Sequence, residues 1–217
     1  MQIGILGTGI VGNTLGTKLV EIGHDVKMGS RSADNKKAKD WVNSTKSPKA
    51  SQGTFADAAS FGEIVLNCTS GGVAIEALKM AGAQNLNGKV LIDVSNGLDF
   101  SKGMPPTLLT SNTDSIGEQV QRAFPEAKVV KSLNTIGVEL MVNPQRLANG
   151  DHDIFVCGND EGAKEQVKKI LRDFGWKNII DLGDITNSRG TEMYFILWIR
   201  LMMTQGRILN LHFQRQG

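Results

Sequence analysis

The chain predicts an α/β protein of the Rossmann type: a doubly wound, mainly parallel sheet with a short C-terminal helical appendage. Apolar, β-branched runs alternate with helix-like segments along most of the sequence, the pattern of a parallel sheet covered on both faces. The first run leads straight into a glycine-rich turn and an amphipathic segment, the context that a dinucleotide fingerprint requires. The alternation runs on to about residue 184 and leaves only residues 185–217. The expected division is a Rossmann domain over 1–184, with a helix and tail over 185–217 that cap the site or form a dimer contact.

Strands are expected at Gln2–Leu6, Asp25–Met28, Ile64–Thr69, Lys89–Val94, Lys128–Ser132, Asp153–Cys157 and Asn178–Asp181. Helices are expected at Val11–Ile22, Asn35–Trp41, Thr54–Ser60, Val73–Ala81, Ser115–Phe124, Glu161–Phe174 and Ser188–Gln205. The first carries Leu15, Leu19 and Ile22 at core-facing spacing. The polar stretch Lys46–Gly53, with Pro48, and the stretch Gly97–Asn112, with Pro105 and Pro106, read as loops.

Composition excludes more than it selects. Of 217 residues, 40% are hydrophobic and 21% charged, an ordinary globular balance. A net charge of +2 implies no particular partner, and Lys36, Lys37 and Lys39 are too few for the basic stripe of a nucleic-acid binder. Cys68 and Cys157 lie in apolar runs with no CxxC pair. They read as buried thiols in a reducing compartment, with no metal site. The N-terminal residues are already strand-like, and the longest apolar stretch, Tyr194–Met203, is interrupted by Arg200 and too short for a bilayer. A soluble cytoplasmic protein is expected.

The fingerprint is Gly7-Thr8-Gly9-Ile10-Val11-Gly12. Gly7 suits the tight turn, Gly9 the approach of a pyrophosphate, and Gly12 the close packing of helix on strand. The helix N-terminus then offers free N–H groups to phosphate. The second strand selects the cofactor. An NAD site places Asp or Glu at its end to bond the ribose 2′-hydroxyl. Here that end reads Met28-Gly29-Ser30-Arg31, and Asp25 sits at the opposite end. Ser30 can donate a hydrogen bond, Arg31 supplies a planar cation suited to a 2′-phosphate, and Lys36 adds a positive charge from the next helix. NADP is the cofactor these residues predict.

From here the sequence resembles the NADPH-dependent deazaflavin (coenzyme F-420) reductases and their bacterial NADP-oxidoreductase relatives, and more distantly the cytosolic domain of the six-transmembrane ferric reductases. The likeness rests on residues 1–31 and continues through Val65-Leu66-Asn67-Cys68-Thr69, Ile92-Asp93-Val94-Ser95-Asn96, Lys131-Ser132-Leu133-Asn134-Thr135-Ile136, Phe155–Asp160, Asp181-Leu182-Gly183 and Thr186–Arg189. The resemblance implies that Thr8, Ile10 and Val11 meet the phosphates and that Ser30, Arg31 and Lys36 meet the 2′-phosphate. It places Thr69 and Ser70 beside the adenosine and riboses, and Asn96, Asn134, Thr135 and Ile136 near the nicotinamide.

No residue stands out as a proton relay. His24, His152, His212 and Tyr194, the only tyrosine, all read as structural. Hydride transfer needs position and shielding more than an acid or base, because the cofactor performs it. The residues after 184 are too few for a separate substrate domain, so a flat acceptor should rest directly over the nicotinamide: a deazaflavin (F-420) or a flavin. Asn187, Ser188 and Arg189 could border that slot. Arg189 and Glu192, at i,i+3 spacing, otherwise read as a surface pair. The final helix is apolar nearly all round, so it should be buried in its own chain or paired in a homodimer. Two other functions stay open: reduction of another small-molecule acceptor, such as a ferric chelate through flavin, and an NADP(H)-binding sensor without turnover.

Overall fold

The computed structural model describes residues 1–206 and 208–214. Its first half is a run of βα units. These are β1 (Gln2–Leu6), α1 (Ile10–Glu21), β2 (Asp25–Ser30), α2 (Lys36–Thr45), β3 (Ala50–Thr54), α3 (Phe55–Phe61), β4 (Ile64–Asn67), α4 (Ala74–Ala81) and β5 (Val90–Asp93). A two-stranded hairpin of β6 (Leu98–Asp99) and β7 (Thr107–Leu108) precedes α5 (Ile116–Ala123) and β8 (Lys128–Ser132). The chain continues with α6 (Val138–Met141), β9 (Asp153–Gly158), α7 (Glu161–Asp173) and β10 (Asn178–Asp181). It closes on α8 (Ser188–Gln205).

Eight strands form one sheet in the order β10-β9-β8-β5-β4-β1-β2-β3. The six from β8 to β3 are parallel, whereas β9 pairs antiparallel with β8 and carries β10 alongside it in parallel. Alternate strand residues feed two apolar layers. Ile3, Ile5, Ile64, Leu66, Val90 and Ile92 pack with Leu15, Leu19 and Trp41 on one face. Leu6, Val65, Leu91 and Val129 pack with Phe55, Leu78, Val120 and Phe124 on the other. Among the described residues no helix is long and apolar enough to cross a membrane.

Two stretches expected as loops are partly ordered. Ala50–Thr54 is the edge strand β3, in register with Val26–Ser30. Its Ser, Gln and Gly residues show no apolar alternation, because an edge strand needs backbone pairing on one side only. Within Gly97–Asn112 the hairpin pairs Leu98 with Leu108 and Asp99 with Thr107.

The surface pair of Arg189 and Glu192 does not form. Arg189 reaches across to Glu118 on α5, with Nε to Oε2 at 2.8 Å and Nη2 to Oε1 at 2.5 Å. Glu192 is only 1% exposed. The reason is that α8 packs against α5, so positions i and i+3 meet different partners across the helix interface rather than each other.

Candidate active site

The parallel strands all deliver their C-terminal ends to one edge, where ligands of open α/β sheets bind. Gly7 turns the chain there with φ of +120°, a conformation that favours glycine. A Cβ on Gly12 would overlap the carbonyl oxygen of Gly7, whereas one on Gly9 would meet nothing within 4 Å. The turn is therefore tightly packed beneath and open above. Asn13, which sequence reasoning passed over, donates its Nδ2 to the carbonyls of Thr8 and Gly9, both at 3.0 Å. That holds the turn with its carbonyls engaged and leaves its N–H groups, at the start of α1, for an anion.

A cavity of about 430 Å³ follows from this turn across the end of β2. Its walls include Gly7, Thr8, Ser30, Arg31, Asn35, Thr69, Val73 and Met80. Arg31 is exposed and has no hydrogen-bond or ion-pair partner among the described residues. Ser30 is buried, and its hydroxyl donates to the Ser32 carbonyl at 2.5 Å, so it shapes the turn that carries Arg31. Lys36 does not line the cavity. It lies out on α2, paired with Asp40 at 2.7 Å.

Across Thr69 a second cavity of about 350 Å³ opens above β4, β5 and β8. Val11, Thr69, Ser70, Ser95, Asn96, Asn134 and Ile136 form its floor. Phe100, from the hairpin, and Phe195 and Trp198, from α8, form its walls. The rings of Phe195 and Trp198 stack at 5.1 Å and 7°. Asn96 and Asn134 are locked together: Asn96 Nδ2 donates to the Asn134 carbonyl at 2.8 Å, and Asn134 Nδ2 donates to Asn96 Oδ1 at 3.1 Å. Thr135 is buried, 1% exposed, and does not line this cavity. Asn187, Ser188 and Arg189 do not border it either. Ser188 is fully buried against Ser115, Asn187 bonds the Asp184 carbonyl, and Arg189 holds Glu118. The aromatic pair about two to three turns further along α8 forms the wall instead, and an apolar helix stripe signals core packing rather than a wall, which is why sequence reasoning missed it.

Behind the floor lies a buried ionic cluster that sequence reasoning also missed. Lys131 at the end of β8 donates to Asp93 at 2.8 Å, to Glu192 at 2.8 Å and to the Ser95 carbonyl at 2.5 Å. Burial works to lower the pKa of Lys131, but the two carboxylates outweigh it and hold it above the ordinary lysine value. Asp93 also receives Asn67 Nδ2 at 2.8 Å, and Asn67 in turn accepts the Thr69 hydroxyl at 2.7 Å. Glu192 accepts the N–H groups of Ile116 and Gly117 at the start of α5, at 2.9 and 3.0 Å.

Glu76 also lines the first cavity, paired with Lys79 at 2.8 Å. His152 is buried between the Pro144 carbonyl and Asn210, and His24 and His212 lie in neither cavity. Burial pushes the Tyr194 phenol up to about 12 and the Cys157 thiol up to about 12. Cys68 borders the second cavity, and its thiol is raised as well, by burial and then by Asp93.

A glycine turn open to an anion, an arginine after the second strand with no partner among the described residues and an apolar slot above β4, β5 and β8 define a dinucleotide-binding oxidoreductase fold. The comparisons with known proteins make the class specific. The family model described as NADP oxidoreductase coenzyme F420-dependent matches residues 2–97. The F420-dependent NADP reductase of Methanocaldococcus jannaschii is 30% identical over 214 residues, 93% of this chain and 92% of that protein. A crystal structure of a candidate F420-dependent NADP-reductase from Arthrobacter superposes with a TM-score of 0.93 at 48% identity, over 98% of this chain and 99% of the other. The protein belongs to this family and is an NADP-dependent oxidoreductase.

The rat metalloreductase STEAP3 is 29% identical over 88% of this chain. The chain spans 36% of that protein's length. An imine reductase from Bacillus cereus shares the fold alone, with a TM-score of 0.64 at 16% identity, and this chain covers 61% of it.

Proposed function

We propose that the protein transfers hydride between NADPH and a flat, ring-shaped acceptor, best matched by a deazaflavin of the coenzyme F-420 type or by a flavin. The observation that carries the reading is the second cavity: an apolar slot whose walls are the stacked pair Phe195–Trp198 and Phe100, and whose floor is the strand ends. Parallel and offset faces of this kind favour a planar aromatic guest. The name of the 30% identical relative supports the same acceptor class.

In this reading Gly7, Thr8, Gly9, Ile10, Val11 and Gly12 bind the pyrophosphate through backbone N–H groups and the α1 N-terminus. Arg31 reads the 2′-phosphate, on the turn that Ser30 shapes. Thr69, which borders both cavities, and Ser70, which lines the second, stand beside the ribose. Asn96, Asn134 and Ile136 position the nicotinamide. When bound, NADPH supplies the hydride, so the protein's own part is alignment and exclusion of water. No acid or base lines the slot closely enough to act as a relay among the described residues, which suits an acceptor whose own ring takes up the charge. The exposed apolar residues Met193, Leu197 and Met203 on α8 support pairing with a second copy.

The test is anaerobic oxidation of NADPH with coenzyme F-420, FMN, FAD and a ferric chelate in parallel. Turnover with F-420 well above the others is the expected result. Turnover only with the ferric chelate in the presence of flavin would move the protein to the second function. Tight NADPH binding with no oxidation by any acceptor would favour the sensor.

A further inference from the structure

Fully buried charges beside a redox cavity act on whatever charge changes there. Asp93, Lys131 and Glu192 have side chains 0%, 0% and 2% exposed. The two acids together receive N–H groups from Lys131, Asn67, Ser95, Ile116 and Gly117. All five groups that bond the two acids donate to them, the pattern carboxylates take. With one ammonium between two carboxylates, the cluster carries one net negative charge. The N-terminus of α5 offsets part of it, about half a unit for a helix end, and the remainder stays negative.

The cluster sits directly behind both sides of the slot. Asp93 accepts the Ser95 N–H at 3.3 Å, and Ser95 lines the floor. Asn67 links Asp93 to Thr69, which borders both cavities. On the other side Glu192 is adjacent in sequence to Thr191, whose hydroxyl accepts Asn134 Nδ2 at 3.3 Å. We infer that the Asp93–Lys131–Glu192 cluster biases the cavity toward the oxidised nicotinamide and so makes bound NADPH a stronger hydride donor. The oxidised ring carries a positive charge that the reduced ring lacks, and a fixed negative charge in a dry, low-dielectric setting favours the charged form. Burial also shields the effect from salt. The inference rests on the proposed seating of the nicotinamide, but not on the identity of the acceptor.

The experiment is equilibrium binding of NADP+ and of NADPH, with no acceptor present, to the full chain and to Glu192→Gln and Asp93→Asn. Each substitution removes one negative charge and keeps the size of the side chain. The ratio Kd(NADP+)/Kd(NADPH) should rise about fifteenfold in either variant, the scale of one unit charge acting across about 10 Å at an effective dielectric constant of about 20. An unchanged ratio, or equal losses for both forms, overturns the inference and leaves the cluster a purely structural device. If neither variant folds, the unaltered protein carries the test. Its ratio should favour NADP+ and stay constant from low to high salt, and a drift toward equal affinity assigns the preference to exposed charges instead. Failure to bind either form overturns the seating of the nicotinamide itself, and silence in the acceptor panel leaves the ratio untouched.

Discussion

The two halves of the strand edge are built in opposite ways. Around β1, β2 and α1 the site is backbone and surface: a glycine turn, a helix end and the exposed Arg31. Around β5, β8 and α8 it is interior: buried Lys131, Asp93, Glu192, Asn134 and Thr191, each satisfied by partners far along the chain. Under the proposed function the difference separates two tasks. Holding phosphates needs N–H groups and cations that water can reach before the ligand does. Aligning a ring needs walls that do not move, and buried polar contacts with few alternatives supply that rigidity. A residue in the first half should therefore change affinity and little else, whereas one in the second should change stability first.

The sharpest way to break this contrast is Lys131→Met. It leaves Asp93 and Glu192 buried without their shared cation, and loss of one partner from such a cluster costs roughly 3–5 kcal/mol. Urea unfolding should show that deficit. Because the pKa of Lys131 is raised in the folded protein, its contribution is fully present below the ordinary lysine value of 10.5 and is lost only as pH climbs past the raised one. The deficit should therefore be flat across neutral pH. A cost below about 1 kcal/mol, the range of surface pairs, would erase the distinction between the halves.

Arg31→Ala comes next. NADPH binding should weaken by roughly 1–3 kcal/mol, the scale of a lost charge-assisted contact, while NADH binding and unfolding barely change. Equal losses for both cofactors would show that Arg31 does not read the 2′-phosphate. Lys36→Ala marks the small end. Lys36 is paired with Asp40 in water and lies off the cavity, so NADPH affinity should move by less than about 0.5 kcal/mol. A loss as large as that of Arg31 would mean that Lys36 leaves Asp40 to join the phosphate.

The same contrast explains what could be read in advance. β1, β8, β10 and α8 were legible to the residue, because periodicity and flanking turns are local signals. So was the glycine turn, whose residues are contiguous. The Lys131 cluster was not. Its members lie 38 and 61 positions apart, and Asp93 and Lys131 sit inside strand runs where a charged residue reads as a strand end. Only the three-dimensional pairing shows why they are buried. Glu192 misled for a related reason: helical spacing offered Arg189 as a local partner, but the N–H groups of α5 and the Lys131 ammonium were stronger claims on it. Phe195 and Trp198 fell within a helix expected to be buried in its own chain or paired with a second copy, and its composition gave no sign of a cavity wall.

The contacts that close the second half all reach back from α8 over long stretches of chain. Ser188 meets Ser115, Arg189 meets Glu118, and Glu192 meets Ile116 and Lys131, across 73, 71, 76 and 61 positions. A growing polypeptide can assemble β1 to β5 from neighbouring segments as they emerge, but these contacts must wait for α8, and long-range closure is the slow part of folding. A half-made molecule therefore has its glycine turn before it has a completed second cavity. The order of synthesis therefore completes the second cavity only when the last helix docks.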